Sequence, residues 1–105
     1  MRLLLALLLV APLAGCASQF TVARIDAEVA VEGARAAGAA STATYEFTGA
    51  EAYLHEAKLK AGYAQYEAAV AFARKSQALA DQAKAKAIST SNKAPRDDGA
   101  REVRP

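Results

Sequence analysis

Tyr66-Glu67-Ala68-Ala69-Val70-Ala71-Phe72-Ala73-Arg74-Lys75-Ser76-Gln77-Ala78-Leu79-Ala80-Asp81-Gln82-Ala83-Lys84-Ala85-Lys86-Ala87 is the stretch that decides the fold. Within it Tyr66, Ala69, Ala73, Ser76, Ala80, Ala83 and Ala87 recur at alternating spacings of three and four. That spacing is one face of a helix, and over several turns it makes a heptad-like seam. Phe72 and Leu79 flank the seam on one side and Val70 on the other. Its small side chains let a neighbouring helix approach to about 8 Å between axes. The stretch therefore predicts a long helix, roughly Ala64 to Ser89, packed closely against others.

Working back from it, Gly62 predicts a turn or a bend before this helix. Ala50, Leu54, Ala57 and Ala61 then form the apolar face of a preceding helix, with Phe47 under its start and Tyr53 beside it. Thr48-Gly49-Ala50-Glu51 fits a capping box, with the Thr48 hydroxyl accepting an amide and Glu51 reaching back. Glu56 and Lys60 are spaced as an i,i+4 ion pair. Further back, Ala39 to Phe47 reads as a connection in which Ser41, Thr42 and Thr44 compete for backbone hydrogen bonds. A first helix spans roughly Val22 to Ala37, with Val22, Ile25, Val29 and Ala36 as its stripe and Gly38 as its stop.

No strand-like alternation of any length occurs, so the expected class is all-α: three helices, the last two joined as a hairpin. Tyr53, Ala57, Tyr66, Ala69 and Ala73 resemble the spacing of one tetratricopeptide unit, but a solenoid needs about three copies. A helix over Gly49 to Ala61 is ~20 Å long and one over Ala64 to Ser89 ~39 Å, so the hairpin covers only the first half of the longer helix. The first helix, ~24 Å long, does not obviously cover the rest. Ala80, Ala83, Ala87 and Ile88 are thus expected to overhang as a candidate interface for a second copy or another protein.

Toward the N-terminus, Met1-Arg2 precedes Leu3-Leu4-Leu5-Ala6-Leu7-Leu8-Leu9-Val10, the charged and apolar order of a secretory signal. The run is shorter than the ~20 apolar residues of a stable span. It ends in Leu13-Ala14-Gly15-Cys16, which resembles a bacterial lipoprotein lipobox. That resemblance implies cleavage between Gly15 and Cys16, thioether lipidation of the Cys16 sulfur and acylation of the new amino group. Several acyl chains anchor firmly, at ~0.8 kcal/mol per buried methylene. Cys16 is the sole cysteine, so no intramolecular disulfide forms, and lipidation accounts for an otherwise stray exported thiol. Ala17 stands where an Asp would resemble an inner-membrane retention signal, which points to an outer-membrane lipoprotein facing the periplasm.

The expected organisation is a signal over 1–15, a lipidated tether over 16–20, an alanine-rich helical domain over 21–90 and a disordered tail over 91–105. Removing Arg2 from the 13 basic side chains leaves 12 against 11 acidic, a net of +1. This balance gives nucleic acid no clustered basic face to bind. The hydrophobic fraction is 53 %, but alanine supplies much of it, and alanine forms helices well while burying little area.

Tyr45-Glu46-Phe47, Ala52-Tyr53-Leu54, Ala57-Lys58, Ala61-Gly62-Tyr63, Tyr66-Glu67-Ala68-Ala69 and Phe72-Ala73 resemble a family of bacterial envelope lipoproteins. These carry a small alanine-rich helical domain of unknown function, and the resemblance covers about Val22 to Ala87. Some relatives place an OmpA-like peptidoglycan-binding domain after it. This chain reaches Pro105 without room for one, so peptidoglycan stays a partner only for the alternative reading through the tyrosines given below. The resemblance supplies no catalytic residues.

Little else carries chemistry. His55 is the only histidine, four residues after Glu51, and one His with one Glu cannot close a zinc site. Asp97-Asp98 reads as solvated tail. No serine has a basic partner at a recognisable spacing, and no glycine-rich phosphate loop occurs. No catalytic site, metal or cofactor is expected. Tyr45, Tyr53, Tyr63 and Tyr66 cluster in sequence around the second helix and its turn, either filling gaps in an alanine core or forming a ligand surface. The expected function is a membrane-anchored, non-enzymatic structural or protein-interaction role in the cell envelope. The alternative is a small-ligand or peptidoglycan/glycan-binding lipoprotein using the tyrosines. Wall attachment through a C-terminal lysine is disfavoured by Arg104-Pro105.

Overall fold

The computed structural model describes residues 2–93, with side chains from Gly15 onward. The described residues form four helices and no strand: α1 (Arg2–Ala36), α2 (Ala39–Thr42), α3 (Thr44–Gly62) and α4 (Tyr66–Lys93). The chain is all-α. Residues 16–20, expected as a tether ahead of the helical domain, are helical within α1, and α4 carries the helix through Ser91, Asn92 and Lys93. The rest of the expected tail, Asp97-Asp98 included, lies outside the described residues.

The α4 seam is the centre of the core. Ala69, Ala73, Ser76, Ala80, Ala83 and Ala87 are all buried. Against it α3 sets Phe47, Ala50, Leu54 and Ala57, and α1 sets Ala23, Ala27, Val31 and Ala34. Helix α3 runs antiparallel to α4, so that Glu46 meets Lys86 at one end and Tyr53 stacks on Phe72 nearer the other. Helix α1 runs parallel to α4: Phe20 lies by Tyr66 and Asp26 pairs with Arg74 at 3.0 Å. Small side chains on α4 make these close approaches feasible.

Helix α1 does not bury the stripe expected of it. Val22, Ile25 and Val29 are 53 %, 48 % and 67 % exposed, and Ala36 is exposed too. The buried stripe is the alanine-rich one. Val22 or Ile25 in its place would hold α1 away from the narrow α4 seam, and the close backbone contact of Ala on Ala would be lost.

The N-terminal start of α3 also departs from the local signal. Ala43 is its N-cap, without a side-chain bond, and Thr48 lies mid-helix. Glu51 bonds Arg35 at 2.8 Å instead of the backbone near Thr48. No capping box forms, because burial of Ala43 and Phe47 extends the helix by a turn. Upstream, Gly38 adopts φ 82° and ends α1, and the Thr42, Ser41 and Thr44 hydroxyls donate back to the carbonyls of Gly38 and Ala40. The expected Glu56–Lys60 pair is not formed. Lys58 pairs across helices with Glu28 at 3.1 Å.

The hairpin turn lies after Gly62. Gly62 itself is helical, and Ala64 is the residue with positive φ, at 59°. Gln65 N–H donates to Lys60 O at 2.9 Å and Ala64 N–H to Ala61 O at 2.9 Å. This pair of bonds is a Schellman motif with alanine in the left-handed position usually held by glycine.

Candidate functional site

The expected overhang on α4 does not exist. Ala80 and Ala83 are 0 % exposed and Ala87 1 %, while Ile88 is 45 % exposed. Three elements cover that end of α4. The one-turn α2 lies on it with Ala39 buried, α3 begins early enough to bring Ala43 and Phe47 over it, and Gly33 of α1 lies beside Lys84. The early start of α3 brings Glu46 to Lys86, 3.3 Å apart. The seam Ala80, Ala83, Ala87 is therefore intramolecular core and is not available to a partner.

The four tyrosines do not form one cluster. Tyr45 and Tyr53 line a groove between α3 and α4, floored by Gly49, Ala52 and Leu79 and edged by Glu56. Its volume is about 770 Å³. Tyr53 stacks on Phe72 with centroids 5.9 Å apart, and the Lys75 ammonium lies 5.6 Å from each ring. Tyr66 lies at the opposite end of the bundle, 6.5 Å from Phe20. Tyr63, 76 % exposed, projects at the hairpin turn.

Gly15 and Cys16 are exposed on α1. Cys16 lines an open depression of about 840 Å³ together with Ala64, Gln65, Tyr66, Glu67, Ala68 and Ala71. The hairpin turn and the first turn of α4 thus stand directly beside the cysteine. The described core begins at Phe20 and Ala23, so a cut between Gly15 and Cys16 retains all of it.

His55 is exposed at a groove between α1 and α3, over Val31 and Leu54. Glu28, Glu32, Arg35, Glu51 and Lys58 complete that groove and pair with one another. Arg35 is held further into its charged form, chiefly by its hydrogen bond to Glu51 and then by Glu32. Glu46 is held below the usual carboxylate range, first by a hydrogen bond from its own amide and then by Lys86, against a desolvation cost. Among the described residues no three of His, Cys, Asp and Glu come together to hold a metal ion, and no helix is long and apolar enough to cross a membrane.

No family model matches the chain, and no curated protein or solved structure is significantly similar to it.

Proposed function

We propose that the chain is a lipid-anchored protein of the bacterial cell envelope, akin to the alanine-rich envelope lipoproteins it resembles. In this reading acylated Cys16 holds the protein on the periplasmic side of the outer membrane, and the bundle plays a non-enzymatic structural or protein-interaction role. The observation that carries it is Leu13-Ala14-Gly15-Cys16 at the end of a charged and then apolar start. The exposed Cys16, followed directly by the described core, supports it. A protein partner would have to use surfaces other than the buried α4 seam, and the exposed Val22, Ile25 and Val29 of α1 offer the apolar area for one.

A glycan or other small-ligand role is the second reading. The groove between Tyr45 and Tyr53 favours it, because two tyrosines flank its floor of Gly49, Ala52 and Leu79 and a tyrosine offers apolar ring surface together with a hydroxyl.

The anchor is tested by metabolic labelling with a clickable fatty acid. Wild type should incorporate label and migrate as the cleaved form. Cys16→Ala should remain an unlabelled precursor. A Cys16→Ala protein that is still labelled and cleaved contradicts the reading.

A further inference from the structure

The bundle end that carries Cys16 also carries the α3–α4 turn, and the two line one depression. Cys16 lies one helical turn, ~6 Å, before Phe20 on α1. Phe20 in turn meets Tyr66 at 6.5 Å. Cys16 therefore stands level with the α3–α4 turn, and it lines one depression with Ala64, Gln65 and Tyr66. Two large side chains with apolar surface project at that end of the hairpin. Tyr63 is 76 % exposed, and Leu59, one turn earlier on α3, is 44 % exposed.

We propose that the hairpin tip, with Tyr63 and Leu59, is a second membrane contact that sits in the lipid interface once Cys16 is acylated. This rests on the anchor reading of the preceding section. Acyl chains inserted from Cys16 hold that residue at the bilayer surface. The turn that lines the same depression as Cys16 is then held at the level of the headgroups. Tyrosine favours this layer, with its ring against acyl chains and its hydroxyl in water. Lys60, between Leu59 and Tyr63, is long enough to bury its stem and keep its ammonium among the phosphates. Glu67 is the one acidic side chain lining the depression. Tyr45 lies 18 residues from Tyr63 along α3, a rise of ~27 Å, and stays in water.

The chain has no tryptophan, so one introduced residue reports alone. The acylated full-length variants Tyr63→Trp and Tyr45→Trp are purified from membranes. They are reconstituted into phosphatidylethanolamine–phosphatidylglycerol vesicles with and without brominated acyl chains. Flotation of the vesicles measures anchoring, and tryptophan quenching measures depth. The expected result is that both variants float, that Tyr63→Trp is blue-shifted and quenched at least twofold, and that Tyr45→Trp is not quenched. Flotation with equal quenching at the two positions, or with none at Tyr63→Trp, overturns the inference and leaves the anchor standing. Failure of either variant to float overturns the anchor and this contact with it.

Discussion

Ser76 Oγ donates a 2.7 Å hydrogen bond to the carbonyl of Ala50, across the α3–α4 interface. Both residues are 0 % exposed. A hydroxyl in a seam of alanines is affordable only with such a partner, because a buried unpaired hydroxyl costs 1–3 kcal/mol by the order of magnitude seen in proteins (~2 kcal/mol). The bond also fixes the register of α3 on α4, since a slip of one residue would move the acceptor out of reach. Ser76→Ala removes the donor but leaves no orphan, as a helix carbonyl keeps its own backbone bond. The expected cost is about 1 kcal/mol, a loss of roughly 4–8 °C in Tm for a domain of this size. Thermal melting followed by circular dichroism reads it, and an unchanged Tm would show the bond to be idle.

The two faces of α1 and α4 separate core from surface sharply. Ala83→Glu forces a long, charged side chain into a site with 0 % exposure. Overpacking alone costs about 1–3 kcal/mol, and charge burial adds to it. The domain should be largely unfolded at 37 °C. Val29→Ser, at a site 67 % exposed, should change stability by less than about 0.5 kcal/mol. Urea denaturation of the two variants checks the contrast. Equal effects would mean that α1 packs on its β-branched stripe after all.

Helix α1 also marks a limit of what its sequence makes legible. The α4 seam is readable because alanine and serine recur there at helical spacing with no competing face. Helix α1 carries two stripes, and Val22-Ile25-Val29 has the greater apolar area. The width of the α4 seam chooses the alanine stripe, and that width is a property of the partner helix. Thr48 and Glu51 make a sound local start signal that burial of Phe47 and Ala43 overrides. The tyrosines lie near one another in sequence, but Tyr45 and Tyr63 bracket nearly all of α3 and so stand ~27 Å apart along it. The sequence around Cys16 motivates the proposed lipid anchor, whereas the place of Cys16 beside the hairpin turn required α1 to continue unbroken through residues 16–20.

The turn gives a paired test in opposite chemical directions. Ala64 has φ 59°, and the left-handed region costs a non-glycine residue about 1–2 kcal/mol. Ala64→Gly relieves that strain at some cost in unfolded-chain entropy, for a net gain of about 0.5–1 kcal/mol. Gly62 is helical, and a Cβ built on it meets nothing within 4 Å. Gly62→Ala should therefore also stabilise, by roughly 0.5–1 kcal/mol. Stabilisation by Gly62→Ala is compatible with a hairpin here, since the left-handed residue lies two positions later. Destabilisation by Ala64→Gly would remove the Schellman turn.

Glu46 links stability to acid pH. Its pKa in the folded chain lies below the ordinary 4.5, through its own amide and then Lys86. A carboxylate with a depressed folded pKa stabilises above its unfolded value and loses that contribution as pH falls through the folded one. At pH 7, Glu46→Gln should melt below wild type. The gap should narrow as the pH falls below 4.5 and close once Glu46 is protonated in the native protein. A gap that does not depend on pH would assign the effect to packing.

The most direct test of the lipid anchor is mass spectrometry of the N-terminal peptide of the protein purified from cell membranes. The expected peptide begins at Cys16 and carries a thioether-linked diacylglycerol, with or without a further acyl chain on its amino group. A peptide beginning at Met1, or one beginning at Cys16 or elsewhere with a free thiol and no lipid, would contradict the anchor.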